Sequence, residues 1–322
     1  MIFDRTSIRT LSFLGSCGAF GMACEELAEN NSDIIALTAD LCSFAGLTRF
    51  AEKYPKQYYN IGIAENNMLG IAAGMAKENL IPFATTYATF AAMRSADQVR
   101  VNMGYMNLPI KLVGLTSGLS VGILGPTHIC IEDIAVMRSI PNITILSPAD
   151  CMETVKATIA SAKINTPVYL RLTGTMGNPP VYKEDYDFEI GKAITLQEGI
   201  DIAIIATGTM VSNSLKAAKL IEKEDISVKV VNMHTIKPLD IEAIKQCCNS
   251  KLIVTVEEHS IFGGLGSAVS EILAQERTKP QQLIIGIKDK YEKAGDYQFL
   301  LEEYGLKPEQ IAQKIMEEYK GE

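Results

Sequence analysis

Short apolar runs alternate with longer helical patterns along almost the whole of this 322-residue chain, and that alternation restricts the fold more than any other feature. In the first half, residues 33–40 (DIIALTAD), 110–115, 143–146 and 168–172 read as buried strands. Near 88–103, 132–139 and 150–163 the apolar residues change to helical spacing, and Asp150 is placed to cap the third of these helices. A second series follows, with strands expected at 202–206, 228–232, 252–256 and 283–287 and helices between them, the last carrying Pro308 in its first turn. Strands that alternate with helices favour right-handed crossovers and a mainly parallel sheet. Between the two series lies 174–189, GTMGNPPVYKEDYDFE, with glycines, a Pro-Pro pair, a cluster of acids and no periodicity. The expectation is an α/β protein of two consecutive domains, at 1–180 and 190–322, each with a mainly parallel sheet and its own core.

Composition narrows the function classes. A net charge of −8 argues against nucleic acid as the main partner, because phosphate backbones are held by basic patches. No apolar run approaches the roughly 20 residues that a membrane span needs. The first residues, MIFDRTSIRTLSFLG, carry an early acid at Asp4 and do not read as a secretory signal. Seven scattered cysteines fit reduced thiols in a cytoplasmic protein better than a disulfide framework, and the pair Cys247-Cys248 reads as structural. The three histidines, His128, His234 and His259, form no i, i+4 pair, so no metal-ligating residues are expected in this chain.

The chemistry concentrates in residues 58–76, YYNIGIAENNMLGIAAGMA. Residues 58–63 read as a short strand, and from Asn66 onward Leu69, Ala72, Ala73 and Ala76 recur at helical spacing. Glu65 therefore falls at a strand-to-helix turn among small and apolar neighbours. A desolvated carboxyl there can share a proton with a ligand nitrogen. A plain helix cap is the alternative, since Glu is favourable near a helix N-terminus.

This run resembles the G-I-A-E-x-x-M motif of the transketolase family of thiamine-diphosphate enzymes. The likeness continues through PFATTYATFAAMRSADQVR (82–100), GPTH (125–128), IEDIAVMRSIPNITILSPAD (131–150) and VYLRL (168–172), then DIAIIATGTMVSNSLKAAKLI, VVNMHTIKPLD and VEEHSIFGGLGSAVSE. Together these cover nearly the whole chain, in order. They resemble the pyrimidine-binding and C-terminal domains of a transketolase. Such enzymes hold the cofactor diphosphate through a metal, with a G-D-G motif and a later Asn. The one Gly-Asp here, Gly295-Asp296, is followed by Tyr297 and a polar helical pattern. The resemblance thus implies the second subunit of a split transketolase, with thiamine diphosphate as cofactor. Mg2+ or another divalent ion would be held mainly by a diphosphate-binding partner subunit, in a heterotetramer of two such chains and two partners.

The resemblance also implies roles. Glu65 matches the carboxyl that shifts the cofactor's aminopyrimidine into its imino tautomer. Tyr87 and Phe90 occupy the ring-stacking positions, Met93 a nearby position that varies between aromatic and basic residues, and Ile123 an apolar contact to the cofactor. At i, i+3 spacing Tyr87 and Phe90 could equally be core aromatics. His128 matches a substrate-side histidine able to relay a proton, and Arg171 an arginine that grips the terminal phosphate of an anionic sugar. Asp40 matches an acid near the subunit interface, with capping as its alternative. His234, His259 and the glycines of 262–266 read as structural.

Three positions depart from the family. Leu124 stands where a substrate-binding Asp is usual, Thr116 where a substrate-binding His is usual, and Cys17 close to the place of a phosphate-gripping Arg. An unpaired hydroxyl buried against Leu124 would cost roughly 1–3 kcal/mol. The expected reaction is transfer of a two-carbon ketol unit from a ketose to an aldose, with a donor or acceptor other than the usual pentose phosphates. A branched, deoxy or sulfonated sugar, or a smaller 2-oxo compound, would suit. Alternatives are the beta-type subunit of a 2-oxo-acid decarboxylating enzyme, a deoxyxylulose-phosphate-synthase-like activity, and a non-catalytic scaffold subunit. Retention of Glu65, Tyr87 and Phe90 argues against the scaffold, which has no need of an aminopyrimidine slot.

Overall fold

Runs such as IIALT (34–38) and IAIIA (202–206) have no polar side that could face water, so each must lie inside a sheet covered by helices on both faces. The structure, a computed structural model that describes residues 3–291 and 293–321, places both in the interiors of two such sheets. The strands are β1 (Ile34–Thr38), β2 (Tyr58–Asn60), β3 (Ile81–Tyr87), β4 (Lys111–Ser117), β5 (Thr144–Leu146), β6 (Val168–Thr173), β7 (Ile194–Gln197), β8 (Ile202–Ala206), β9 (Val228–Asn232), β10 (Thr235–Lys237), β11 (Leu252–Ser260) and β12 (Gln281–Ile287). The first sheet runs β10-β5-β6-β4-β3-β1-β2 and the second β12-β11-β8-β9-β7. All pairings are parallel except those of the edge strands β10 and β7. The two α/β units with mainly parallel sheets are those read from the sequence.

The second unit lends β10 to the first sheet, where it pairs with β5. The acidic, proline-bearing stretch between the units is not a loose tether either. Tyr182 and Tyr186 stack at 4.2 Å and both donate to Glu153 Oε1 in the helix Cys151–Lys163. Asn232 of β9 donates to the same buried carboxylate. A carboxylate fully removed from water needs such a set of donors, and here they come from both units and the stretch between them.

Two elements were not legible in the sequence pattern. The helices Arg5–Ser12 and Gly15–Asn30 precede β1, the first opened by a reciprocal cap between Asp4 and Ser7. Small residues in the second let the backbone come close to a loop: a Cβ on Gly21 would lie 1.9 Å from the Gly46 oxygen. The expected helix at 88–103 is also not continuous. It is two π-helical turns, Phe90–Arg94 and Val99–Tyr105, around the short helix Ala96–Gln98. The carboxyl ends of β1 to β4 share one edge of the first sheet, the place where ligands bind in open parallel sheets.

Candidate active site

Gly62, at φ +77°, turns the chain after β2, and the helix Glu65–Lys77 then starts on Glu65 itself. Its side chain is 3% exposed and does not cap its own helix. The carboxylate turns to Arg94, whose Nη1 donates to Oε1 at 2.6 Å. This sets aside the cap reading. Arg94 closes the π-turn that begins at Phe90, where the Ser95 amide reaches back to the Phe90 oxygen. The guanidinium lies over the Phe90 ring, 3.9 Å from its centroid.

Around this pair stands a set of aromatic rings. Tyr87 ends β3 and meets Phe90 edge to face at 5.9 Å. His128 packs edge-on to both, at 5.5 Å from Tyr87 and 5.3 Å from Phe90, and Phe44 closes on Tyr87 at 6.2 Å. Edge-to-face geometry contributes on the order of 1 kcal/mol per pair beyond burial. Glu65, Tyr87, Phe90 and His128, four residues spread over 64 positions of sequence, therefore form one cluster. Met93 shares the π-turn and is half-exposed. Ile123 and Leu124 sit exposed on a short 3-10 turn at Gly122–Leu124.

The loop that carries Ile123 and His128 is pinned at its base. Gly118 and Cys130 exchange both backbone hydrogen bonds, and the Leu119 amide donates to Glu258 Oε1 at 2.6 Å. Glu258 belongs to β11 in the second unit, where its other oxygen accepts from the Thr209 and Tyr297 hydroxyls. Burial raises the pKa of this carboxyl against the hydrogen bonds that lower it. Sequence reasoning treated VEEHS only as part of a resemblance and missed Glu258 as an anchor.

Arg171 is corrected by its setting. The expected phosphate grip is 1% exposed, inside the junction of the two units. Its Nε donates to Asp133 Oδ2 at 2.8 Å and its Nη2 to the Glu258 carbonyl at 2.9 Å. Tyr169 donates to the same Asp133 oxygen. Burial would lower the guanidinium pKa, but the Asp133 charge and hydrogen bond outweigh it and leave it above its ordinary value. Two of its guanidinium nitrogens are thus committed to partners inside the junction of the two units.

The family model described as "Transketolase, pyrimidine binding domain" matches residues 16–178, and that described as "Transketolase, C-terminal domain" matches 191–311. The chain belongs to the transketolase family. A 6-deoxy-6-sulfo-D-fructose transketolase subunit of Clostridium sp. (strain MSTE9) is 36% identical over 91% of this chain and 90% of its own. An apulose-4-phosphate transketolase subunit of Phocaeicola vulgatus is 37% identical over 91% of this chain and 93% of its own. A solved structure described as a split gene transketolase, inactive beta4 tetramer, is 38% identical with a TM-score of 0.84, covering 94% of this chain and 97% of that one. Both domains of the transketolase subunit type are thus present. No helix among the described residues is long and apolar enough to cross a membrane.

Two of the departures from the usual transketolase pattern, Thr116 and Cys17, lie together, with Cys17 near Tyr87. Thr116 lies in β4 with φ +48°, a left-handed conformation that is rare for a β-branched residue, and its buried Oγ1 has no hydrogen-bond partner. The Cys17 thiol sits against the Thr116 backbone, and burial pushes it up to about 11. Asp40, also left-handed at φ +59°, is tied to Asn60 rather than to a helix. In the second domain, the turn at 262–266 joins β11 to the helix Leu265–Leu273. Glu257 already fills that helix N-terminus, accepting from the Leu265 and Gly266 amides at 2.6 and 2.8 Å. A phosphate there would meet a buried carboxylate. His259 is buried beside Asp133, and His234 packs on Phe188 with its pKa lowered by burial.

Proposed function

We propose that this chain is the pyrimidine-binding subunit of a split, thiamine-diphosphate-dependent transketolase-like enzyme, active with a separate diphosphate-binding subunit. The observation that carries the reading is the Glu65 carboxylate, 3% exposed and directed at a position above the Phe90 ring. A flat group bearing N–H donors fits that position, because the guanidinium of Arg94 already does so. When bound, thiamine diphosphate supplies the nucleophilic carbon for cleaving a ketose beside its carbonyl group.

In this reading Glu65 holds a proton in common with a ring nitrogen, and Tyr87 and Phe90 pack against the ring and keep it out of water. Met93 and Ile123 add apolar contact at its rim. His128 has Nδ1 beside the Thr127 hydroxyl at 2.9 Å, which leaves Nε2 to exchange a proton with a sugar oxygen. The diphosphate and its divalent ion fall to the partner. The exposed Ile63, Met93 and Tyr105, on the elements that build the site, suit an apolar contact of the obligate kind and a heterotetramer. The substrate we infer is an anionic sugar other than the usual pentose phosphates. Leu124 offers a hydroxyl no partner, and the two similar subunits are named for 6-deoxy-6-sulfo-D-fructose and for apulose 4-phosphate.

Glu65→Gln in the complex assembled with the diphosphate-binding subunit tests the reading. Ketol transfer should fall by about 10²- to 10⁴-fold, as for loss of a positioned acid–base group. A variant within threefold of wild type would remove the case for Glu65 and leave a scaffold.

A further inference from the structure

Arg94 has no task in catalysis as proposed, yet it makes the two contacts that the pyrimidine ring would need. Its Nη1 donates to Glu65 Oε1 at 2.6 Å and its guanidinium carbon lies over Phe90, 3.9 Å from the ring centroid. We propose that Arg94 is a placeholder for the cofactor ring: it fills the Glu65–Phe90 slot and must swing out before the ring can be seated.

Each part of this follows from the geometry. Glu65 is almost fully buried, and Arg94 supplies its opposite charge. A buried carboxylate left without a partner is strongly destabilising, so the slot needs a resident cation until a ligand arrives. Guanidinium suits the place because it is planar, stacks on aromatic faces and stays charged. An ammonium would satisfy Glu65 but could not cover the ring. Arg94 itself is 45% exposed, so its side chain has solvent to move into while Glu65 does not. The π-turn brings Arg94 over Phe90 within five residues, so one local element holds both the platform and its cover. The ring then competes with an internal ion pair, and its apparent affinity is reduced by the fraction of chains in which the slot is closed.

This inference rests on the thiamine reading, and the test separates the two. Thiamine diphosphate with Mg2+ is titrated by calorimetry into the full chain reconstituted with its diphosphate-binding subunit, as wild type, Arg94→Ala, Arg94→Lys and Glu65→Gln. Arg94→Ala should bind about fivefold tighter than wild type, the scale of one half-exposed ion pair, with Arg94→Lys in between. The thermal midpoint of cofactor-free Arg94→Ala should fall, and thiamine diphosphate should raise it by more than it raises wild type. If Arg94→Ala binds no tighter than wild type while Glu65→Gln binds more weakly, the placeholder is overturned and the thiamine reading stands. If wild type and all variants fail to bind, both are overturned.

Discussion

Replacing Arg171 with Met should unfold the junction of the two domains rather than weaken sugar binding. The wild-type guanidinium is 1% exposed and its partner Asp133 is 0% exposed. Removing the cation takes away the 2.8 Å bond from Nε and leaves the Asp133 carboxylate with the Tyr169 hydroxyl on Oδ2. Its other oxygen, Oδ1, has no hydrogen bond, and the nearest histidine nitrogen, His259 Nε2, stands 4.0 Å away. The Glu258 carbonyl across the junction loses its donor as well. Breaking one side of a pair buried this deeply costs about 3–5 kcal/mol. The double variant Arg171→Met/Asp133→Leu removes both charges and leaves only the Tyr169 hydroxyl and the Glu258 carbonyl to be satisfied. It should recover to within about 1–2 kcal/mol of wild type, about 2–3 kcal/mol more stable than Arg171→Met alone. Urea unfolding followed by far-ultraviolet circular dichroism measures this, since the chain has no tryptophan to report by fluorescence. A single variant within 1 kcal/mol of wild type whose KM for a phosphorylated sugar rises tenfold would refute the argument and return Arg171 to the substrate.

Three further outcomes are expected. Burial pushes the Lys111 ammonium down to about 7 from its ordinary 10.5, against two carbonyl acceptors, those of Ile164 and Thr166. Between those two values the unfolded chain binds the extra proton, so stability should rise with pH there, and Lys111→Met should flatten that rise in the urea midpoint; an unchanged slope counts against it. Thr116→Gly should stabilise by about 1 kcal/mol, the relief of a left-handed β-branched residue less the added freedom of the unfolded chain, and a clear loss of stability would show that the conformation is not strained. Glu258→Gln leaves one acceptor oxygen for three donors and should cost about 1–3 kcal/mol. It should also speed hydrogen exchange in the loop from Leu119 to His128, and unchanged exchange there would deny the anchor.

How much of this was readable in advance follows from how far each cause acts along the chain. Periodicity, turn residues and caps act over a few positions, so all nine expected strands, the Asp150 cap and Pro308 at the head of the last helix are where the pattern puts them. The helices ahead of β1 were missed because glycine and small residues blur helical spacing. The π-turns were missed because a widened turn leaves no mark on composition. Glu65, Tyr87, Phe90 and His128 could be singled out through motifs, but that their side chains converge was not in the motifs themselves.

The sequence by itself determined two layered α/β units, their mainly parallel sheets and the family. Each of those follows from the order of apolar runs and from segments that keep their identity when read locally. Only the tertiary structure decided what the charged residues do. Arg171 became a strut between sheets, Glu258 reached 139 positions back to hold the loop that carries His128, and Arg94 closed over Glu65. A charge acts through whatever the fold brings within a few ångströms of it, and inside a protein that neighbour is set by packing rather than by position in the chain.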